Sequence, residues 1–124
     1  QLYSRQNSDG SFRYWSNSSR SYPWLDSYLT VFLSLAKEKG FAVNQLVFSR
    51  LQEVQRKRAR EWRSTTALDA ASQDYDQAYR LYSLALASAP ELGAMNRLKV
   101  EEKLDSRATW MLASAYARSG KSSV

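Results

Sequence analysis

Apolar residues recur with helical spacing in five segments of the chain. The first segment begins at Pro23, a residue suited to the first turn of a helix, and ends near Lys39 before the stop residue Gly40. It is apolar over most of its circumference, and its narrow polar stripe consists of Asp26, Thr30, Ser34 and Lys37. The pattern predicts an enclosed helix, because a helix that is apolar all round must be covered on every side.

The other four segments alternate between two kinds of helix. The second, predicted at 44–58 with Asn44 as its N-cap, and the fourth, at 91–103, are apolar on one side and charged elsewhere. The third, at 74–89, and the fifth, for which Ser106 is the predicted cap, are again apolar over most of their surface. Enclosed helices therefore alternate with surface helices.

This alternation predicts an all-α fold, namely a partial α/α toroid of stacked helical hairpins. Each hairpin would place an inner helix towards the middle and an outer helix towards solvent. We interpret residues 1–124 as a single helical domain excised from a larger toroid, with a turn and aromatic box at 1–22 and about five helices at 23–124. Because five helices close only part of a ring, we expect apolar flanks that the parent protein or a second copy must cover.

A glycine turn framed by aromatic residues precedes the first helix. Asp9-Gly10 favours a tight turn, since glycine adopts positive φ at little cost and aspartate bonds the backbone that follows it. The proposed aromatic turn box consists of Gln6, Asp9, Gly10, Phe12, Trp15 and Trp24. We expect the aromatic side chains of the segment, Phe12, Tyr14, Trp15 and Trp24, to pack the junction between successive hairpins. A ligand platform is the alternative, because aromatic rings offer flat apolar area.

The composition excludes several kinds of chemistry. The chain has no cysteine and no histidine, so it lacks a thiolate nucleophile, sulfur ligands for a metal and the usual acid–base group of neutral pH. We therefore expect no metal and no cofactor.

Three carboxylates are the candidates for catalysis by a toroid glycosidase or cyclase. Such chemistry needs two carboxyl groups at a defined separation. Asp74 and Asp76 are two residues apart on a predicted helix and so point in different directions. Asp74 is more simply an N-terminal cap, and Asp26 is a first-turn residue that the helix dipole favours. We predict no catalytic residue and no enzyme.

Positive charge is concentrated in the second helix. Six basic and two acidic residues lie within 50–63, whereas the net charge of the whole chain is +6. The run Arg56, Lys57, Arg58 and Arg60 could neutralise phosphates in a nucleic acid. Basic side chains are also favoured near a helix C-terminus. We predict no nucleic-acid binding, and we interpret the run as a solvated helix end or a docking surface for a neighbouring domain.

The turn motif and the first helix resemble a known family. The residues are Gln6-x-x-Asp9-Gly10-Ser11-Phe12-x-x-Trp15, then Trp24-Leu25-x-x-Tyr28-x-x-x-Phe32-x-x-Leu35-Ala36-Lys37-Glu38-Lys39-Gly40. They resemble the thioester-containing helical domain of the alpha-2-macroglobulin family, in particular its bacterial branch. Later segments with the same likeness are Ala78-Tyr79-x-x-Tyr82-x-Leu84-Ala85-x-Ala87 and Ala108-Thr109-Trp110-Met111-Leu112-Ala113-x-Ala115-Tyr116.

The resemblance implies an α/α toroid within a large periplasmic, cell-envelope or secreted protein that traps proteases. In the family, cleavage of a bait segment exposes a thioester, formed within Cys-x-Glu-Gln, which acylates the attacking protease. This chain contains no such motif. The resemblance therefore implies a structural part of a broad-spectrum protease inhibitor without the thioester. Its expected partners are proteases, through the full-length parent, and neighbouring domains; self-association of the fragment is also expected.

A tetratricopeptide-like scaffold that binds peptides or proteins is the alternative. Ala78, Tyr82, Ala85 and Pro90 have the spacing of the second helix of such a repeat. The 34-residue period of that repeat would place the next bulky aromatic residue near Asn96, whereas the chain has Trp110. An α/α-toroid enzyme is a weaker alternative.

Overall fold

A computed structural model describes residues 6–12, 22–101 and 103–122, except for the side chains of 121 and 122. The described residues form five helices: α1 Pro23–Glu38, α2 Gln45–Glu61, α3 Ala70–Leu86, α4 Leu92–Lys99 and α5 Ser106–Ser122. Their strand-like structure is limited to one isolated antiparallel bridge between Gln6 and Phe12. The prediction of an all-α fold is confirmed. Among the described helices, none has the length and apolarity needed to span a membrane.

The helices form two layers, and α3 is the central helix of the larger one. One layer contains α1, α3 and α5, with α3 in the middle, and its largest contact is between α3 and α5. The second layer contains α2 and α4, which contact each other and the first layer. Helices of the two predicted kinds therefore occupy different layers. Closure of the layers into a toroid stays a prediction.

The end of α1 and the start of α2 lie where the sequence predicts them. Gly40 has a φ of +90°, and the next amide, that of Phe41, donates to the Ala36 carbonyl at 2.9 Å. This arrangement satisfies carbonyls of the last turn of α1. At the start of α2, the Asn44 side chain accepts from the Val47 amide at 3.1 Å, so the predicted N-cap is confirmed.

Two other predicted caps are wrong. Helix α3 begins at Ala70, after Asp69 at the N-cap position, so Asp74 lies in its second turn. The helix starts earlier than the apolar pattern because alanine favours helix even where no core contact requires it. Ser106 is the first residue of α5, and the carboxylate before it, Asp105, accepts from the Ala108 amide at 2.9 Å.

Helix α1 buries three of the four residues in its polar stripe and exposes a row of bulky apolar residues. The α1 apolar row, consisting of Trp24, Tyr28, Phe32 and Leu35, is between 42% and 52% exposed. Asp26, Thr30 and Ser34 are buried instead. The two hydroxyls donate to carbonyls one turn back, Thr30 to Asp26 at 2.7 Å and Ser34 to Thr30 at 2.6 Å, so they are buried without loss of hydrogen bonds. Within the described chain, the expectation that α1 is covered on every side is wrong.

Among the residues that the structure describes, two apolar clusters make up the core. The turn core contains Phe12, Leu29, Leu33, Val47, Phe48, Leu51 and Val54. The α3–α5 core contains Ala59, Ala78, Leu81, Leu84, Ala85, Ala94, Met95, Leu98, Ala108, Leu112 and Ala115. The predicted apolar stripe of α2 thus lies in the turn core.

Candidate functional site

The Asp9-Gly10 turn is closed by its own hydrogen bonds. Asp9 Oδ1 accepts from the amide of Ser11 at 3.0 Å and from its hydroxyl at 2.6 Å. These bonds lower the pKa of the Asp9 carboxyl, the hydroxyl bond more than the amide bond. The backbone of Asn7 accepts from the Gly10 amide at 3.0 Å and donates to the Ser11 carbonyl at 2.7 Å. The loop is therefore held in one shape before it meets the helices.

Helix α2 contacts the turn so closely that only glycine fits at position 10. Gly10 has a φ of +102°. A Cβ atom there would lie 2.4 Å from the carbonyl oxygen of Arg50 and 2.9 Å from the carbonyl carbon of the same residue. The Gln6 amide donates to the carbonyls of Gly10 and Val47 at 2.9 and 3.1 Å. The Arg50 guanidinium donates to the Ser8 carbonyl at 2.7 Å. Side chains from both partners thus join the turn to α2.

A buried carboxylate links the turn to α1 and α2. Asp26 is fully buried, and its Oδ1 accepts from the Phe12 amide at 2.7 Å. Its Oδ2 forms an ion pair with Arg58 at 2.6 Å. Burial raises the pKa of Asp26, and this effect exceeds the lowering by the Phe12 amide and the Arg58 guanidinium. The carboxylate serves as a structural tie, with both oxygens occupied.

Polar side chains also lie between the two layers. The interlayer polar cluster consists of Ser27, Gln55, Gln77, Arg80 and Ser83, all buried. The Gln55 amide donates to the hydroxyls of Ser27 and Ser83 at 3.1 and 3.2 Å. Gln77 donates to the Ala59 carbonyl at 3.0 Å and accepts from Arg80 at 2.5 Å. Burial, with help from the nearby positive charge of Arg58, lowers the pKa of Arg80 to about 10.

Sequence reasoning missed the interlayer polar cluster, although a signal was present. Gln77, Arg80 and Ser83 recur every three residues, so they share one side of α3. That side also carries buried leucines and alanines. A row of polar residues within an otherwise apolar helix indicates a buried hydrogen-bond network as readily as it indicates a solvent-exposed side.

Three of the four residues in the predicted basic docking surface bind partners within the chain. Arg56 contacts Glu91 at 2.7 Å, and Arg60 contacts both oxygens of that carboxylate at 3.0 Å. Arg58 binds Asp26, whereas Lys57 is exposed. Although burial opposes it, the Arg60 and Arg56 guanidiniums lower the pKa of Glu91. The run joins α2 to the start of α4, and its role as a docking surface stays a prediction.

The structure brings together part of the proposed aromatic turn box. Gln6, Asp9, Gly10 and Phe12 belong to the turn segment that contacts α1 and α2, as described above. Trp24 lies in the α1 apolar row, with 43% of its surface exposed. Trp15 lies outside the described residues.

The carboxylates considered for catalysis have different surroundings. Asp26 is bonded at both oxygens, Asp74 is buried in the second turn of α3, and Asp76 is half-buried, with a pKa that burial raises. Within the described ranges, no group of three or more acidic, cysteine or histidine side chains could hold a metal ion.

Known structures share this arrangement of helices. Trypsin-activated alpha-2-macroglobulin from Escherichia coli matches 96% of the chain at a TM-score of 0.81 and 24% identity. The native conformation of the E. coli protein matches the same share at 0.80 and 23%. This chain has the fold of a segment of E. coli alpha-2-macroglobulin. The resemblance to the alpha-2-macroglobulin family is thus confirmed at the level of the fold.

The chain spans only 9% of the trypsin-activated E. coli alpha-2-macroglobulin chain and 8% of the native one. No protein-family model and no curated protein sequence matches it.

Proposed function

We propose that this chain is a structural helical segment of a larger, alpha-2-macroglobulin-like protein that traps proteases. The fold shared with E. coli alpha-2-macroglobulin over 96% of the chain is the observation that carries the proposal. The trypsin activation named for that protein supports a protease as the partner of the parent. On the same resemblance, we place the parent in the periplasm, in the cell envelope or among secreted proteins.

The proposed role is mechanical. The chain matches the native and the trypsin-activated E. coli structures almost equally, at TM-scores of 0.80 and 0.81. This favours a unit that keeps its own fold while the rest of the molecule rearranges. The close contact of the Asp9-Gly10 turn with α2 and the hydrogen bonds of the interlayer polar cluster support such rigidity. The reactive thioester, if the parent carries one, lies outside this chain, and the segment would help to shield it from water until bait cleavage.

The two alternatives receive less support. Helices α1, α3 and α5 begin at residues 23, 70 and 106, unequal spacings that differ from the constant 34-residue period of tetratricopeptide repeats. For the toroid enzyme, Asp26 would have to leave two short hydrogen bonds before it could act on a substrate.

Incubation of the full-length parent with active trypsin tests the proposal. We expect trypsin to co-elute with the parent in size-exclusion chromatography after the parent has been cleaved. Trypsin with a blocked active site is the matched control and should elute alone. If a thioester is present, prior treatment with methylamine should abolish the adducts that survive denaturation. Cleavage without retention of active trypsin would refute protease trapping.

The α1 apolar row also predicts how the isolated chain behaves. Exposed bulky apolar side chains in a continuous row favour burial against another surface. We expect the chain to self-associate at high concentration through this row, as measured by light scattering, and Phe32→Asp to shift the equilibrium towards monomer. Leu68→Asp is the control, because Leu68 is exposed in the α2–α3 connection. A wild-type chain that stays monomeric would contradict this prediction.

A further inference from the structure

A cleft opens between the α2–α3 connection, the start of α3 and the residues that follow α4. Its volume is about 660 Å³. Its polar lining comes from Ser64, Thr65, Thr66, Asp74, Glu101 and Lys103. It lies away from the turn and the buried ion pair, and it has no part in the function proposed above.

Asp74 is the unusual member of this lining. The residue is only 7% exposed, and its Oδ1 is buried without a hydrogen-bond partner in the described chain. A buried acceptor without a donor is costly, and more so when it carries charge. Burial raises the pKa of Asp74, and the negative charges of Glu101 and Asp105 raise it further. The negative charges of Glu101 and Asp105 therefore make a cation near Asp74 more favourable.

No basic side chain of the described residues forms an ion pair with Asp74. Lys103 lines the same cleft but is exposed, and no ion pair joins it to Asp74 in the structure as described. A metal ion is also a poor fit, because no group of three suitable side chains occurs among the described residues. A cation that pairs with Asp74 would therefore be an organic group from outside the described chain.

We propose that this cleft binds a protonated primary amine, whose ammonium group donates a hydrogen bond to Asp74. An ammonium is a compact charge with three donors, whereas a guanidinium is a planar fork that suits two accessible carboxylate oxygens. Asp74 offers one unpartnered buried oxygen, and Ser64, Thr65 and Thr66 supply further acceptors in the same lining. The cleft is large enough to hold a butyl chain behind the ammonium group.

Amide-resolved NMR titration of the 124-residue chain tests this proposal with n-butylammonium chloride as the probe. We expect saturable shifts at the start of α3 and at Val100, Glu101 and Lys103. Tetramethylammonium chloride at equal ionic strength carries the same charge but no N–H donor, and it should bind at least about tenfold more weakly. Equal shifts with both salts would overturn the proposal.

Variants separate Asp74 from general negative charge. Asp74→Asn should weaken n-butylammonium binding roughly tenfold or more, since a charged hydrogen bond is lost. Asp69→Asn, which removes an exposed carboxylate at the start of the same helix, should leave binding within about twofold. Unchanged affinity in Asp74→Asn would refute the site. If that variant does not fold, the wild-type Asp74 carboxyl resonance gives a second test: its apparent pKa must fall when the amine is present, and a constant pKa would refute binding.

Two further probes identify the source of the amine. Nα-acetyl-lysine methylamide represents a lysine side chain of a polypeptide, and putrescine represents a free diamine. Tighter binding of the lysine derivative assigns the site to a lysine from another protein segment, whereas tighter binding of putrescine assigns it to a small metabolite. Failure of both to bind would refute the site without affecting the protease-trapping proposal, which is tested on the full-length parent.

Discussion

The turn core and the α3–α5 core are held together in different ways. In the α3–α5 core, Ala78, Ala85, Ala108 and Ala115 are fully buried, so two long helices pack against each other through small side chains. Around the turn core, Gly10 contacts the α2 backbone, and Asp26 bonds across three segments. Stability thus comes mainly from distributed apolar contacts in the α3–α5 core, whereas the turn core adds a few directional contacts to its apolar packing.

This difference governs how each region responds to substitution. Apolar cores tolerate changes that conserve volume, because no single contact dominates. A buried ion pair fails as a unit, because removal of one partner leaves the other charge without compensation. The turn region should therefore contain the positions that are most sensitive to conservative changes.

The largest effect is expected from Asp26→Asn. The change keeps the size of the side chain but removes the charge that pairs with Arg58, and we expect the free energy of unfolding to fall by about 3–5 kcal/mol. Urea denaturation measures this value. The matched control is Glu38→Gln, which breaks the exposed Arg118–Glu38 pair and should cost less than about 1 kcal/mol. Similar losses in both variants would remove the distinction between the buried tie and a surface pair.

A glycine series is expected to give the next largest effect. Gly10→Ala combines positive φ with a clash against the α2 backbone and should destabilise the fold by about 2 kcal/mol or more. Gly40→Ala has the positive φ without the clash and should cost roughly 1–2 kcal/mol. Gly93→Ala, within α4 and with open space around it, should stabilise by about 0.5–1 kcal/mol. Any other ranking of the three variants in thermal unfolding would contradict the close contact between Gly10 and the α2 backbone.

The smallest effect concerns pH and Asp74. The folded chain holds the Asp74 proton more tightly than the unfolded chain does, so stability falls as pH rises from the ordinary value of 3.8 through the raised folded pKa. The negative charges of Glu101 and Asp105 enlarge this loss. Relative to Asp74→Asn, the wild-type chain should lose stability across this window, as measured by urea unfolding at several pH values. A constant difference between the two proteins would contradict the raised pKa.

The sequence predicted the amphipathic parts of the fold well. Val47, Phe48, Leu51 and Val54 formed an unambiguous stripe on α2, and all four are buried. Asn44 was a recognisable cap because its chemistry is local.

The orientation of α1 could not be predicted in the same way. Its apolar residues surround the helix, so the pattern does not indicate which side packs. The deciding contacts come from Phe12 and Arg58, which lie 14 and 32 residues away from Asp26 in the chain. The interlayer polar cluster was hard to predict for a similar reason, because partners such as the Ala59 carbonyl and the Ser27 hydroxyl are on other helices.

Hydrogen exchange of wild-type and Asp26→Asn proteins, resolved by residue, tests most directly the claim that the two regions are stabilised differently. Regions held by separate contacts open with separate free energies. We expect the substitution to accelerate amide exchange in residues 6–12 and α1 while the central amides of α3 and α5 keep most of their protection. An equal loss of protection in α1, α3 and α5 would show that the chain opens as a single unit and would contradict the account.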